Sequence, residues 1–185
     1  TFVKVTLANK ISDQTFKNCK YLATVEYESK VIYVGNQAFY GCKSLRSFDF
    51  DDTLTYIGSS AFAECSSLVS ATIPEGIEAV LASTFENCTL LSSVTMFEGL
   101  KSIDTFAFGG CNSLISLVIP DSVMSIGENA LANCIGLKEL TIPFVGTSPE
   151  SAAPLTSVLG IGGVHSITKI TLTKGSAVSD GAFEG

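Results

Sequence analysis

Six cysteines are the residues of this chain best equipped for chemistry, and their spacing decides what they can do. They are Cys19, Cys42, Cys65, Cys88, Cys111 and Cys134, each 23 residues after the one before. An even number of thiols admits a disulfide framework, a metal site or a nucleophile. If the period reflects stacked copies, equivalent Cα atoms lie about 5 Å apart, close enough for a bridge. Equivalent side chains point in parallel, however, and a disulfide needs Cβ atoms about 3.8 Å apart. No two cysteines have the C-x2-C spacing of a zinc site. A Cys/His nucleophile would have to recruit His165, the only histidine, and no cysteine is set apart from its siblings. The spacing therefore reads as a row of buried thiols packing as small hydrophobes, with no metal or cofactor expected.

The elements that hold the cysteines repeat with the same period. Phe16, Phe39, Phe62, Phe85, Phe108 and Leu131 stand three residues before them, and Leu22, Leu45, Leu68, Leu91, Leu114 and Leu137 three residues after. Five residues before each aromatic position is Ile11, Val34, Ile57, Val80, Ile103 or Ile126. Within a copy, Leu117 and Ile119 alternate with Ser116 and Val118, the period of a strand. Ala130, Leu131, Cys134 and Leu137 fall on one face of a helical turn. Pro74, Pro120 and Pro143 follow strand residues, where a missing N–H ends a ladder. Gly35, Gly58 and Gly127 follow the aliphatic, giving the chain room to turn. Each copy then comprises a strand, a corner, a short helix or 3₁₀ turn, and a return. So small a unit cannot bury its apolar face alone, but a stack of copies can.

The register fails between about 143 and 166. Residues 144–154 are rich in Pro, Gly, Ser and Ala, and Gly160-Ile-Gly-Gly163 loosens the chain again. The pattern resumes at Ile167, Ile170 and Leu172, and Val178, Ala182 and Phe183 start a further copy. The expectation is a single domain over 1–185, a fragment of a longer array, with a projecting loop inserted at about 144–166. Val3 and Val5 are expected to form the strand of a partial coil before Ile11.

The frame Ile-Gly-x-x-Ala-Phe-x-x-Cys-x-x-Leu-x-x-Leu-x-Ile-Pro, as in Ile57-Gly58-Ser-Ser-Ala61-Phe62-Ala-Glu-Cys65-Ser-Ser-Leu68, resembles the BspA-like leucine-rich repeats. The resemblance covers residues 11–143 and 167–185. It implies an α/β fold: a right-handed leucine-rich-repeat solenoid of about 23-residue coils, with a parallel β-sheet on one face and short helical turns on the other. It also implies a secreted or cell-surface protein with an adhesive, protein-binding role and no catalysis, the ligand being a host extracellular-matrix or cell-surface protein.

The surface charge agrees with a protein partner. Eleven basic residues against 18 acidic ones leave a net charge of −7, which repels nucleic acid and anionic lipid. No run approaches the 18 or so apolar residues of a membrane span. A monomer is expected. Nor is there a G-x-S-x-G, a P-loop or a dinucleotide fingerprint. Asn87-Cys88-Thr89 matches the glycosylation pattern only by chance, because Cys88 belongs to the core frame.

The binding surface is expected on outward strand positions: Glu26, Asp49, Thr72, Thr95, Val118, Thr141 and Thr171. A flanking row runs Thr24, Ser47, Ser70, Ser93, Ser116, Glu139 and Lys169. Glu28, Asp51 and Asp52 make the N-terminal end acidic. The alternatives are a structural spacer presenting another domain, or an enzyme built on the insertion and His165.

Overall fold

The computed structural model describes residues 2–5, 9–27, 29–151, 153–163, 166–174 and 183. Short strands recur at the repeat period. They are β1 (Phe2–Val5), β2 (Lys10–Ile11), β3 (Thr24–Tyr27), β4 (Tyr33–Val34), β5 (Tyr56–Ile57) and β6 (Ser70–Thr72). They continue as β7 (Ala79–Val80), β8 (Ser93–Thr95), β9 (Ser102–Ile103), β10 (Ser116–Val118), β11 (Ser125–Ile126) and β12 (Glu139–Ile142). A helix α1 (Thr156–Gly163) and β13 (Lys169–Leu172) follow. All pairings are parallel, between strands of neighbouring coils. The result is a parallel-strand β-solenoid of about six turns with coils of about 23 residues.

Two sheet faces emerge where one was expected. The first holds β1, β3, β6, β8, β10, β12 and β13, with Val3 opposite Val25 and Leu117 opposite Leu140 opposite Ile170. The second is built by the aliphatic positions before the turn: β2–β4–β5 form one ladder and β7–β9–β11 another. Ile11, Val34, Ile57, Val80, Ile103 and Ile126 point inward there and are buried.

Of the short helix or 3₁₀ turn expected on the third side, the chain forms tight i→i+3 turns and no continuous helix. Gln14, Asn18, Gln37, Ser60, Glu64, Asn87 and Asn133 have φ between 53° and 62°, the left-handed region. A left-handed residue four positions before the next one, as with Gln14 and Asn18, cannot belong to a continuous α-helix. It forms i→i+3 turns instead, such as Cys19 N–H to Phe16 O at 3.0 Å. The payoff is a further ladder between coils: the amides of Gln37, Phe39 and Gly41 donate to Ser59, Ala61 and Ala63 at 2.8–2.9 Å. Glycine after the aliphatic serves close approach rather than turning. A Cβ on Gly58 would lie 2.5 Å from the Asn36 amide nitrogen of the preceding coil.

The core is a stack of identical layers. Phe16, Phe39, Phe62, Phe85 and Phe108 stack ring on ring, with centroids 5.2–5.6 Å apart. Leu131 continues the column, and Phe48 packs edge-on against Phe39 and Phe62. Five cysteines are buried free thiols, but Cys19 is exposed, which corrects the expectation for that residue. Each buried thiol is covered by the preceding coil and donates to its Phe carbonyl 26 residues earlier, as Cys88 Sγ does to Phe62 O at 3.1 Å.

Part of the segment that breaks the period packs against the stack. Phe144, Val145, Leu155, Val158 and Leu159 are buried in the same core. Carbonyls of Thr147, Ser157 and Val158 accept from the amides of Ile126, Asn129 and Leu131 at 2.6–2.9 Å. The segment thus supplies the bonds a regular coil would. α1 is kinked at Gly160 (φ 64°, ψ 162°), where a Cβ would sit 3.1 Å from that of Ala132. A side chain there would push the helix off the preceding coil. His165, Val178 and Ala182 lie outside the described residues.

Candidate functional site: the first strand face

Alternation along each strand of the first sheet sends one set of side chains into the stack and the other to solvent. Ala71, Leu117 and Leu140 go in, and Val25 and Val94 pack partly buried beside them. Between them Glu26, Thr72, Thr95, Val118 and Thr171 are exposed and Thr141 half-buried. Ladder pairing sets these outward residues in register. Glu26 faces Lys4 of β1, Thr72 faces Thr95, and Val118, Thr141 and Thr171 follow one another across three coils. Asp49 is exposed in the same column but lies outside any strand, in the gap between β3 and β6. The flanking row is exposed from Thr24 to Lys169.

Polarity changes along this face. In the middle, Ser70, Ser93 and Ser116 beside Thr72 and Thr95 give paired rows of hydroxyls. At the C-terminal end Lys169 Nζ lies 3.6 Å from Glu139. Val118, 61% exposed, and Ile115, equally so, put two aliphatic side chains among polar ones. At the N-terminal end Lys30 holds Asp51 and Asp52 at 3.3 and 3.0 Å. The Thr53 amide and hydroxyl both donate to Asp51 Oδ1, at 2.8 and 2.7 Å, and hold its carboxyl below the usual carboxylate range. Burial, with the charge of Asp49 added, pushes the Tyr27 phenol above its ordinary value.

These groups can donate, accept and pair, but they include no nucleophile beside a base. Among the described residues no group of three or more His, Cys, Asp or Glu could hold a metal. No helix of the described residues is long and apolar enough to cross a membrane. Two of the larger concavities described, of about 420 and 330 Å³, lie on the second sheet instead. That sheet also carries the half-buried, stacked pair Tyr33 and Tyr56, which sequence reasoning missed. The missed signal was an alternation too short to register as a strand, with Lys10, Tyr33 and Tyr56 each one residue before the buried aliphatic.

A stack of parallel coils, each locked by the same Phe-x-x-Cys-x-x-Leu frame, defines a leucine-rich repeat solenoid. Six copies of the BspA type leucine rich repeat region match over residues 9–138, and the chain belongs to that family. No curated protein matches its sequence at a significant level. Among solved structures it is similar to a leucine rich cell surface protein of Faecalibacterium prausnitzii A2-165, at 34% identity and a TM-score of 0.73. That match covers 76% of this chain but only 38% of the other, so this chain spans little more than a third of its relative. It also shares its fold with a leucine-rich repeat protein of T. pallidum, at 24% identity and a TM-score of 0.56, over 93% of this chain and 70% of that one. Solenoids of this family are, as a class, binding or scaffold modules rather than catalysts.

Proposed function

We propose that the chain is a protein-binding module displayed at a bacterial cell surface, a single repeat domain over 1–185 that engages its ligand along the first strand face. The observation that carries this reading is the division of labour within each coil. The Phe-x-x-Cys-x-x-Leu frame and the aliphatic five residues before it repeat almost without change, whereas the outward column runs Glu26, Asp49, Thr72, Thr95, Val118, Thr141 and Thr171. An aligned, solvent-facing row that varies along a rigid support suits extended contact with another protein. The surface location follows that of the Faecalibacterium relative, described as a cell surface protein. The ligand class is a host extracellular-matrix or cell-surface protein, bound by a monomer in an adhesive role.

A binding screen on immobilised matrix proteins tests this, using the wild type and two face variants. Glu26→Lys with Asp49→Lys reverses the acidic end, and Thr95→Arg with Thr141→Arg crowds the middle. At least one matrix protein should bind, and one of the double variants should weaken it by about tenfold or more. Full binding by both variants would leave the first strand face without a role and favour a spacer. Loss of all binding to the panel by the wild type would remove the adhesive reading.

A further inference from the structure

The second sheet presents an outward column of its own: Lys10, Tyr33, Tyr56, Ala79, Ser102 and Ser125. Its first three members form one stack. Lys10 Nζ lies 4.1 Å from the centroid of the Tyr33 ring, and Tyr33 lies parallel to Tyr56 with centroids 4.7 Å apart and planes 9° from each other. Tyr33 covers one face of Tyr56. The other face looks along the ladder to the next coil, where the column drops to the single methyl of Ala79.

The ladder itself parts at this step. β2, β4 and β5 are joined, and so are β7, β9 and β11, but β5 and β7 are not paired. A concavity of about 330 Å³ opens between them, with Thr55 and Tyr56 on one side and Gly76, Glu78, Ala79 and Leu81 on the other. Leu81 occupies the position where Gly35 and Gly58 let coils approach closely. Among the described residues, none that lines it is cationic. Glu78 carries the one carboxylate of the lining, its side chain 71% exposed, and Lys101 Nζ engages its Oε1 at 2.5 Å.

We propose that this notch binds the guanidinium of an arginine side chain on a protein partner. The planar cation stacks on the open face of Tyr56 and donates to Glu78 Oε2, completing at one end of the stack what Lys10 does at the other. Guanidinium fits better than ammonium because it is flat enough to continue a ring stack and donates sideways while stacked. The net charge of −7 draws basic partners toward the chain. The notch lies on a different sheet from the first strand face, so either site can fail without the other.

The test is a titration of isotopically labelled protein with N-acetyl-arginine amide, read at the backbone amides of Gly76, Ala79 and Leu81 by NMR. Saturable shifts at those amides are expected, with upfield movement of the probe's methylene protons under the Tyr56 ring. Tyr56→Leu should weaken binding about tenfold and Glu78→Gln by a few-fold. Ala79→Tyr extends the ladder with the residue already present at 33 and 56 and should abolish binding while the spectrum stays dispersed. That variant decides the matter even if Tyr56→Leu fails to fold. Absence of saturable shifts, or binding that survives in Ala79→Tyr, overturns the site. An equal response to N-acetyl-lysine amide, or a response to methyl glucoside in place of the arginine probe, overturns the guanidinium assignment.

Discussion

Each buried cysteine acts as a hydrogen-bond donor between coils, which explains a thiol at that position better than its size does. Cys42, Cys65, Cys88, Cys111 and Cys134 donate to Phe carbonyls at 3.0–3.3 Å. A carbonyl that already accepts one backbone amide in its own turn can accept a second donor, and the thiol supplies a weak one. Sequestered in this way, the five thiols should resist modification in the native chain. DTNB should titrate one thiol per native chain, Cys19, and six after denaturation. Rapid labelling of two or more in native conditions would contradict the burial of the other five. Burial also pushes the Cys42 thiol from near 9 up to about 12 and that of Cys134 up to about 11, with Cys65, Cys88 and Cys111 raised as well. Above pH 9 the unfolded chain therefore releases thiol protons that the native chain retains, so unfolding is favoured as pH rises. The thiols' contribution is complete below about pH 9 and is lost as pH climbs toward 11 and 12. Urea midpoints measured from pH 8 to 11 should fall more steeply for the wild type than for Cys88→Ala with Cys111→Ala. Equal slopes would show that the thiols do not govern the alkaline limb.

The coil's shape rests on two contacts at the scale of the element, and each yields a graded substitution. Phe62 sits in the middle of the ring stack with no exposed surface. Phe62→Ala should cost about 3–5 kcal/mol by leaving a cavity. Phe62→Leu should cost under about 1.5 kcal/mol, because Leu131 already fills that position five copies in a row do with Phe. Similar losses for both would mean that ring stacking, rather than volume, dominates the column. Gly58→Ala should destabilise by about 2 kcal/mol or more, since the obstructing atom is backbone. Gly76→Ala, whose nearest neighbour is Leu54 O at 3.2 Å, should cost less than about 1 kcal/mol by thermal melting. The period, the inward residues and the first sheet were legible because burial forces the same residue types to recur. The second sheet was not, because two-residue strands such as Tyr33–Val34 are too short to show alternation. On the third side Phe-x-x-Cys-x-x-Leu spacing left a short helix and a 3₁₀ turn undistinguished, and tight i→i+3 turns are what form. The signal that separates the two lies in Asn18, Gly41, Asn87, Gly110 and Asn133, residue types that tolerate the left-handed region, each just before a cysteine. The outward column could be located from the sequence, but its ligand could not, since the scaffold constrains those positions only to be soluble.

Across the whole molecule the coils touch only their neighbours, so stability should be transmitted locally along the stack. Segment 144–163 is the place to test this, because it replaces a regular coil while still supplying its hydrogen bonds. Ser157 O and Val158 O accept from Asn129 and Leu131, and Val158 and Leu159 close the core beneath them. A charge at Leu159 would be buried without a partner, so Leu159→Asp should loosen α1 from the stack. Hydrogen exchange is the appropriate measurement, as it reads each ladder bond separately. The amides of Asn129 and Leu131 should exchange at least about tenfold faster in Leu159→Asp. Those of Phe39 and Phe62, which donate to Ala61 and Thr84 several coils away, should keep their protection. Uniform acceleration of all four amides would show that the solenoid opens as a single cooperative unit. Unchanged exchange at Asn129 and Leu131 would show that the insertion only covers the end of the stack. With the expected result, the irregular segment is a substitute coil whose loss exposes the core layer of Leu131 and Cys134, which limits how freely this part of the chain can vary to meet a ligand.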